Sequence, residues 1–153
     1  MFKDSTASLF DSFAALLEYP SSDFSEHAQE CLELMRSLHP EAADMVEKFA
    51  NAVEKNSLQR MQELFTTTFD MQPVCYPYVG FHLYGESYKR GAFMAQLNEG
   101  YHGIGYSAGQ ELPDNLSVIL RFIGFDSENR YSEFSQALLS DGVLKKKKKM
   151  LKV

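Results

Sequence analysis

Apolar residues recur along this chain with the spacing of helices. Between Ser5 and Tyr19 they fall at Leu9, Phe10, Phe13, Leu16 and Leu17, an i, i+3, i+4 rhythm that collects them on one side of a helix. Tyr19-Pro20 ends it, because the residue before a proline is pushed out of the α region. Ser21 or Ser22 is placed to cap a second helix, with Asp23 and Glu26 near the positive end of its dipole. Its buried face is Phe24, Ala28, Cys31, Leu32, Met35 and Leu38. Pro40 suits the first turn of a third helix, whose inward residues are Met45, Val46, Phe49 and Val53. Asn56-Ser57 marks a break and a cap before a fourth, with Leu58, Met61, Leu64, Phe65 and Phe69 on one side. The run Thr66-Thr67-Thr68 weakens the end of that helix.

From Asp70 onward the pattern loosens. Pro73 and Pro77 each remove a backbone donor, so Asp70 to Pro77 reads as an irregular connection. Val74 to Tyr84 has the composition of a strand, but Pro77 and Gly80 argue against a central one. A short helix from Tyr78 to Tyr84, ended by Gly85, is predicted instead. Ser87 caps the next, which runs to about Tyr101 with Tyr88, Phe93, Met94 and Leu97 on its apolar side. Gly100, Gly103, Gly105 and Gly109 read as a flexible connector. Pro113 opens a helix carrying Leu116, Ile119, Leu120 and Ile123, and Asp126-Ser127 caps another with Tyr131, Phe134, Leu138 and Leu139. The sum is an all-α bundle of about seven to nine helices in a single domain over residues 1–153.

Composition narrows the class. At 153 residues, 44% of them hydrophobic and 24% charged, the chain is long enough for one core that buries about two thirds of its unfolded surface. No apolar run approaches the roughly 18 residues that span a bilayer, and Asp4 comes too early for a secretory signal, so a cytoplasmic protein without membrane insertion is expected. Cys31 and Cys75 form no CxxC pair and read as reduced, buried thiols. Net charge is −6, but six of the fifteen basic residues lie in the last nine positions. Residues 1–144 hold nine basic residues against all twenty-one acidic ones, a body that repels nucleic acid and attracts cations. The lysine run Lys145 to Lys149 has no interleaved aromatics and reads as a solvated helix end.

Chemistry is sparse. His27, His39, His82 and His102 are scattered, with no HExxH and no Cys/His cluster at zinc spacing, so no metal, cofactor or catalytic residue is predicted. Gly100 to Gly105 lacks the Gly-Lys-Ser/Thr of a phosphate loop. Two features remain. Glu111 and Asp114, three apart at a helix start, suit either capping or an acidic lip that grips a guanidinium. The aromatics Phe69, Tyr76, Tyr78, Phe81, Tyr84, Tyr88 and Phe93 suit either core packing or an adaptable peptide groove held open by prolines.

Phe69-Asp70, Tyr84-Gly85-Glu86-Ser87-Tyr88-Lys89-Arg90-Gly91 and above all Glu111-Leu112-Pro113-Asp114-Asn115-Leu116 resemble the TorD/DmsD family of redox-enzyme maturation chaperones, with its nitrate-reductase delta-subunit (NarJ-type) branch. The similarity covers roughly residues 5–140. It implies an all-helical cytoplasmic chaperone, not an enzyme. Its partner would be the apo catalytic subunit of a molybdenum oxidoreductase, bound by its N-terminal, often twin-arginine, leader until the cofactor is inserted. Glu111, Pro113 and Asp114 match the leader-binding and hinge motif, flanked by Asn115 and Leu116. Many members carry histidine where this chain has Asn115, which places it nearer the delta-subunit branch. The lysine-rich stub 145–153 departs from the further helix usual in the family and reads as a truncated or incompletely assigned end. By this reading Tyr76, Tyr78, Phe81, Tyr84 and Tyr88 line the groove for the apolar part of the leader. The alternative is an all-helical oligomerisation or adaptor module without a client peptide. A homodimer formed by helix exchange through the glycine connector is compatible with the sequence and marked by no particular residue.

Overall fold

Among the described residues the helical rhythm of the first half becomes four helices and that of the second half three. The computed structural model describes residues 2–71, 75–127 and 136, and among them there is no named strand. The helices are α1 (Phe2–Leu16), α2 (Phe24–Leu38), α3 (Ala43–Lys55), α4 (Leu58–Thr66), α5 (Val79–Tyr84), α6 (Tyr88–Gly103) and α7 (Leu116–Ser127). A 3-10 turn, Pro40–Ala42, leads into α3, and a π-helical turn, Thr67–Met71, follows α4. The chain divides into two compact units, Met1–Tyr76 and Pro77–Val153.

In the first unit α2 packs on both α1 and α3. Leu9, Phe24, Ala28, Cys31, Leu32, Met35, Ala43, Val46, Ala50 and Val53 form its core. Ala14, Ala28 and Ala50 are buried and small, so the helices approach closely there. Burial of each larger side chain contributes about 1.5–3 kcal/mol. It also pushes the Cys31 thiol up to about 11, so this sulfur stays protonated; neither cysteine is bridged.

Two local expectations change in this unit and two hold. Ser21 and Ser22 do not cap α2; their hydroxyls donate to Asp23 Oδ1 at 3.3 and 3.0 Å. Those bonds, Ser22 first, hold the Asp23 carboxyl below its usual range. On α3 the core face is Val46, Ala50 and Val53, while Met45 is 78% exposed and Phe49 37%. One residue along a helix turns about 100°, so Met45 and Phe49 sit off the core stripe. Ser57 does cap α4, accepting from Arg60 N at 3.2 Å. The threonine run then distorts its end. Thr66 and Thr67 hydroxyls donate to Gln62 O and Glu63 O, competing with the regular ladder, and the backbone loosens into the π turn.

In the second unit Val79, Leu97, Tyr101, Val118, Ile119, Phe122 and Ile123 are buried. The short α5 ends at Gly85, whose φ of 65° is the left-handed value that a glycine stop supplies. The glycine connector is shorter than expected: Gly100 and Gly103 belong to α6, and Gly105 and Gly109, at positive φ, make the turn after it. Tyr101, Tyr106 and Phe122 pack with ring centroids 4.7–5.6 Å apart. Pro113 does not open α7, which starts at Leu116, and Asp126 and Ser127 lie within α7. The helix expected over Tyr131–Leu139 and the lysine-rich stub lie outside the described residues.

Candidate functional site

Among the described residues two places depart from ordinary helical packing, one in each unit. In the second unit the segment entering α5 pairs with the turn entering α7. Val79 N donates to Asp114 O at 2.9 Å and Leu116 N to Pro77 O at 2.8 Å, an isolated antiparallel bridge between Tyr78 and Asn115. Pro77 lacks an N–H but keeps its carbonyl, which this bridge uses. Pro113 is buried, and its carbonyl accepts the Tyr101 hydroxyl at 2.7 Å. Burial, with the Tyr106 and Asp114 charges adding to it, drives the Tyr101 phenol well above its ordinary value and keeps it a donor.

Asp114 is fully buried, and its partner is Arg90 from α6. Arg90 Nε donates to Oδ2 at 2.8 Å and Nη2 to Oδ1 at 3.3 Å, a fork that neutralises the carboxylate. The same guanidinium lies 5.5 Å from the Tyr78 ring centroid, within cation–π range. Tyr78 in turn donates its hydroxyl to Glu111 Oε1 at 3.1 Å, and that oxygen also accepts from Leu112 N at 2.9 Å. Glu111 is exposed at the rim. Gly80 completes the clasp: a Cβ there would lie 2.6 Å from Asp114 Oδ2 and 3.0 Å from Phe93.

The two readings left open for the acidic pair therefore divide. Neither Glu111 nor Asp114 caps α7. Asn115 does, its Oδ1 accepting from Ser117 N at 2.9 Å and Ser117 Oγ at 2.8 Å. Asp114 grips a guanidinium, but one from its own chain, and only Glu111 faces solvent. Of the aromatics, Tyr78 joins the clasp. Tyr84 packs on Phe93 at 5.6 Å and is partly exposed, Phe81 is half-buried with an edge contact to His82, and Tyr88 is exposed. Tyr76 is half-buried at the end of the first unit and Leu116 half-buried at the start of α7. Sequence reading missed Arg90 and Gly80. Both stood in the run Tyr84–Gly91 or beside it, but a salt bridge 24 residues long has no local signature.

The second place is an apolar cleft of about 500 Å3 in the first unit, walled by α1, α3, α4 and the π turn. Phe13, Leu17, Met45, Phe49, Leu64 and Phe65 are among its lining. No residue of α4 is fully buried. The available signal was width: α3 and α4 carry more apolar residues than one core face needs. Among the described residues no three His, Cys, Asp or Glu side chains gather as a metal site would, and no helix is long and apolar enough to cross a membrane.

The fold is that of a candidate redox enzyme maturation protein from Archaeoglobus fulgidus, solved by crystallography, to which this chain is similar at a TM-score of 0.59 and 20% identity over 87% of this chain and 78% of that one. The sequence description of the nitrate reductase delta subunit matches residues 35–151. This chain belongs to that family, the NarJ/TorD-type chaperones. No curated protein matches it.

Proposed function

We propose that this protein is a cytoplasmic chaperone that binds the apo catalytic subunit of a molybdopterin oxidoreductase through its N-terminal leader and holds it until the cofactor is inserted. Family membership supports the general role, and the clasp supports the manner. The observation that carries it is the presentation of Glu111. Its carboxylate is exposed and oriented by Tyr78, while the neighbouring acid is already neutralised by Arg90. A basic leader residue meets one fixed negative charge at the rim. The partly exposed Tyr84, packed on Phe93 beside Gly80, offers apolar surface for the residues that follow. Because the contact is exposed, it is modest and salt-sensitive, which suits release.

Calorimetric titration of the full chain with a basic, apolar leader peptide tests this. Glu111→Lys is expected to weaken binding by roughly tenfold, and raising the salt to weaken the wild type toward the variant. Unchanged affinity in Glu111→Lys would remove the rim from the mechanism. Co-purification of a large molybdoenzyme precursor is the expected result in the native host; a partner of another class would favour the adaptor alternative.

A further inference from the structure

Glu111 does not offer its whole carboxylate to a partner. We propose that Tyr78 is a specificity-determining residue of the rim: by holding one Glu111 oxygen it leaves a one-oxygen site, at which a lysine ammonium binds as well as an arginine guanidinium. This rests on the leader reading above and names the kind of cation that the rim accepts.

The count of acceptors carries the inference. Oε1 of Glu111 accepts from the Tyr78 hydroxyl at 3.1 Å and from Leu112 N at 2.9 Å. A carboxylate has about four lone-pair sites, two on each oxygen, so Oε1 is filled. Oε2 has no partner among the described residues, and the side chain is exposed. An incoming cation therefore meets a single open oxygen.

The same turn shows what two open oxygens do. Asp114 presents both, and Arg90 spans them, with Nε on Oδ2 at 2.8 Å and Nη2 on Oδ1 at 3.3 Å. Such a fork is what gives a guanidinium its advantage over an ammonium at a carboxylate. At Glu111 a leader arginine reaches the second oxygen only by displacing the Tyr78 hydroxyl, which exchanges one hydrogen bond for another. The fork then gains nothing. A lysine ammonium is a compact charge with rotatable donors and needs only Oε2.

Tyr78 is held where it blocks the fork. Its ring centroid lies 5.5 Å from the guanidinium carbon of Arg90. Its backbone is flanked by the two bridge bonds, Val79 N to Asp114 O at 2.9 Å and Leu116 N to Pro77 O at 2.8 Å. The hydroxyl thus projects from an anchored ring. Charge does not separate the two cations, because each carries one unit and an exposed pair is screened alike. Hydrogen-bond geometry is left to decide.

The test titrates the full chain with the basic, apolar leader peptide in two forms, one with every cation lysine and one with every cation arginine. The readout is the ratio of the two affinities on one preparation, which a partly unfolded variant leaves unchanged. Wild type is expected to bind the two forms within about twofold of each other. Tyr78→Phe keeps the ring and removes the hydroxyl; it opens Oε1 and should shift the ratio toward arginine by about fivefold. Tyr78→Phe combined with Glu111→Gln should return the ratio to the wild-type value, since a carboxamide offers no second oxygen to a fork. A wild type that already favours arginine by fivefold or more overturns the proposal, as does a ratio that ignores Tyr78→Phe or a shift that survives in the double variant. Failure of both peptides to bind, or binding that ignores Glu111→Lys, sinks the leader reading and this inference with it. Binding that needs Glu111 but has a ratio indifferent to Tyr78 sinks this inference alone.

Discussion

The first unit leaves apolar side chains outside, and the second takes charged ones inside. Met45 stands in solvent, and Phe49 and Leu64 keep over a third of their surface exposed, although α3 and α4 have a core to pack on. Asp114 is sealed within the second unit, although a carboxylate without compensation would cost several kcal/mol there. The second departure is compensated within the molecule, by the Arg90 fork and the backbone bridge beside it. The first has no compensation on its own surface.

That contrast makes quantitative claims. Asp114→Ala should have one of the two largest effects. It strips the Arg90 guanidinium of its carboxylate, and the loss of one member of a buried pair costs about 3–5 kcal/mol, here toward the lower end because Arg90 is 15% exposed. Chemical denaturation reads it directly; a loss below about 1 kcal/mol would mean the pair is ornamental.

Next comes a pair of leucine truncations. Leu32→Ala in the α2 core should cost about 2–5 kcal/mol, whereas Leu64→Ala at the cleft should cost less than about 1. Equal losses would make the cleft part of the core.

A pair of glycines gives opposite signs. Gly80→Ala brings a Cβ against a carboxylate oxygen locked in a fork and should destabilise by about 1–3 kcal/mol. Gly91→Ala, on α6 with open space around it, should stabilise by about 0.5–1 kcal/mol through helix propensity.

The smallest effect is at Asp23. Its carboxyl is held low by Ser22, its own backbone and Ser21 in the folded state. A depressed acid contributes stability above its unfolded value of about 3.9 and loses it as pH falls through the folded one. Wild type and Asp23→Asn melts should therefore converge below about pH 4 and separate slightly above it.

Much of the fold was legible in the sequence. The caps and stops were local: Ser57 before α4, Pro40 at the entry to α3, Gly85 at the end of α5 and the proline after Tyr19 act within a turn of themselves. The α2 face from Phe24 to Met35 was correct because a single stripe at helical period has one sensible side. Where a stripe was too wide, as over Met45, Val46 and Phe49, periodicity could not say which part met the core.

Local chemistry thus determined some helix ends, at Ser57, Pro40 and Gly85, but not those at Ser21 and Pro113, and it pointed to the motif from Glu111 to Leu116. Tertiary structure alone decided what the motif's charges do. Asp114 and Arg90 are 24 residues apart and Tyr78 and Glu111 are 33, so their partnership depends on how α5, α6 and the α7 turn come together. Neither spacing nor propensity encodes that. The same holds for the cleft, which exists because α1, α3 and α4 leave a space that no segment of the described first unit fills.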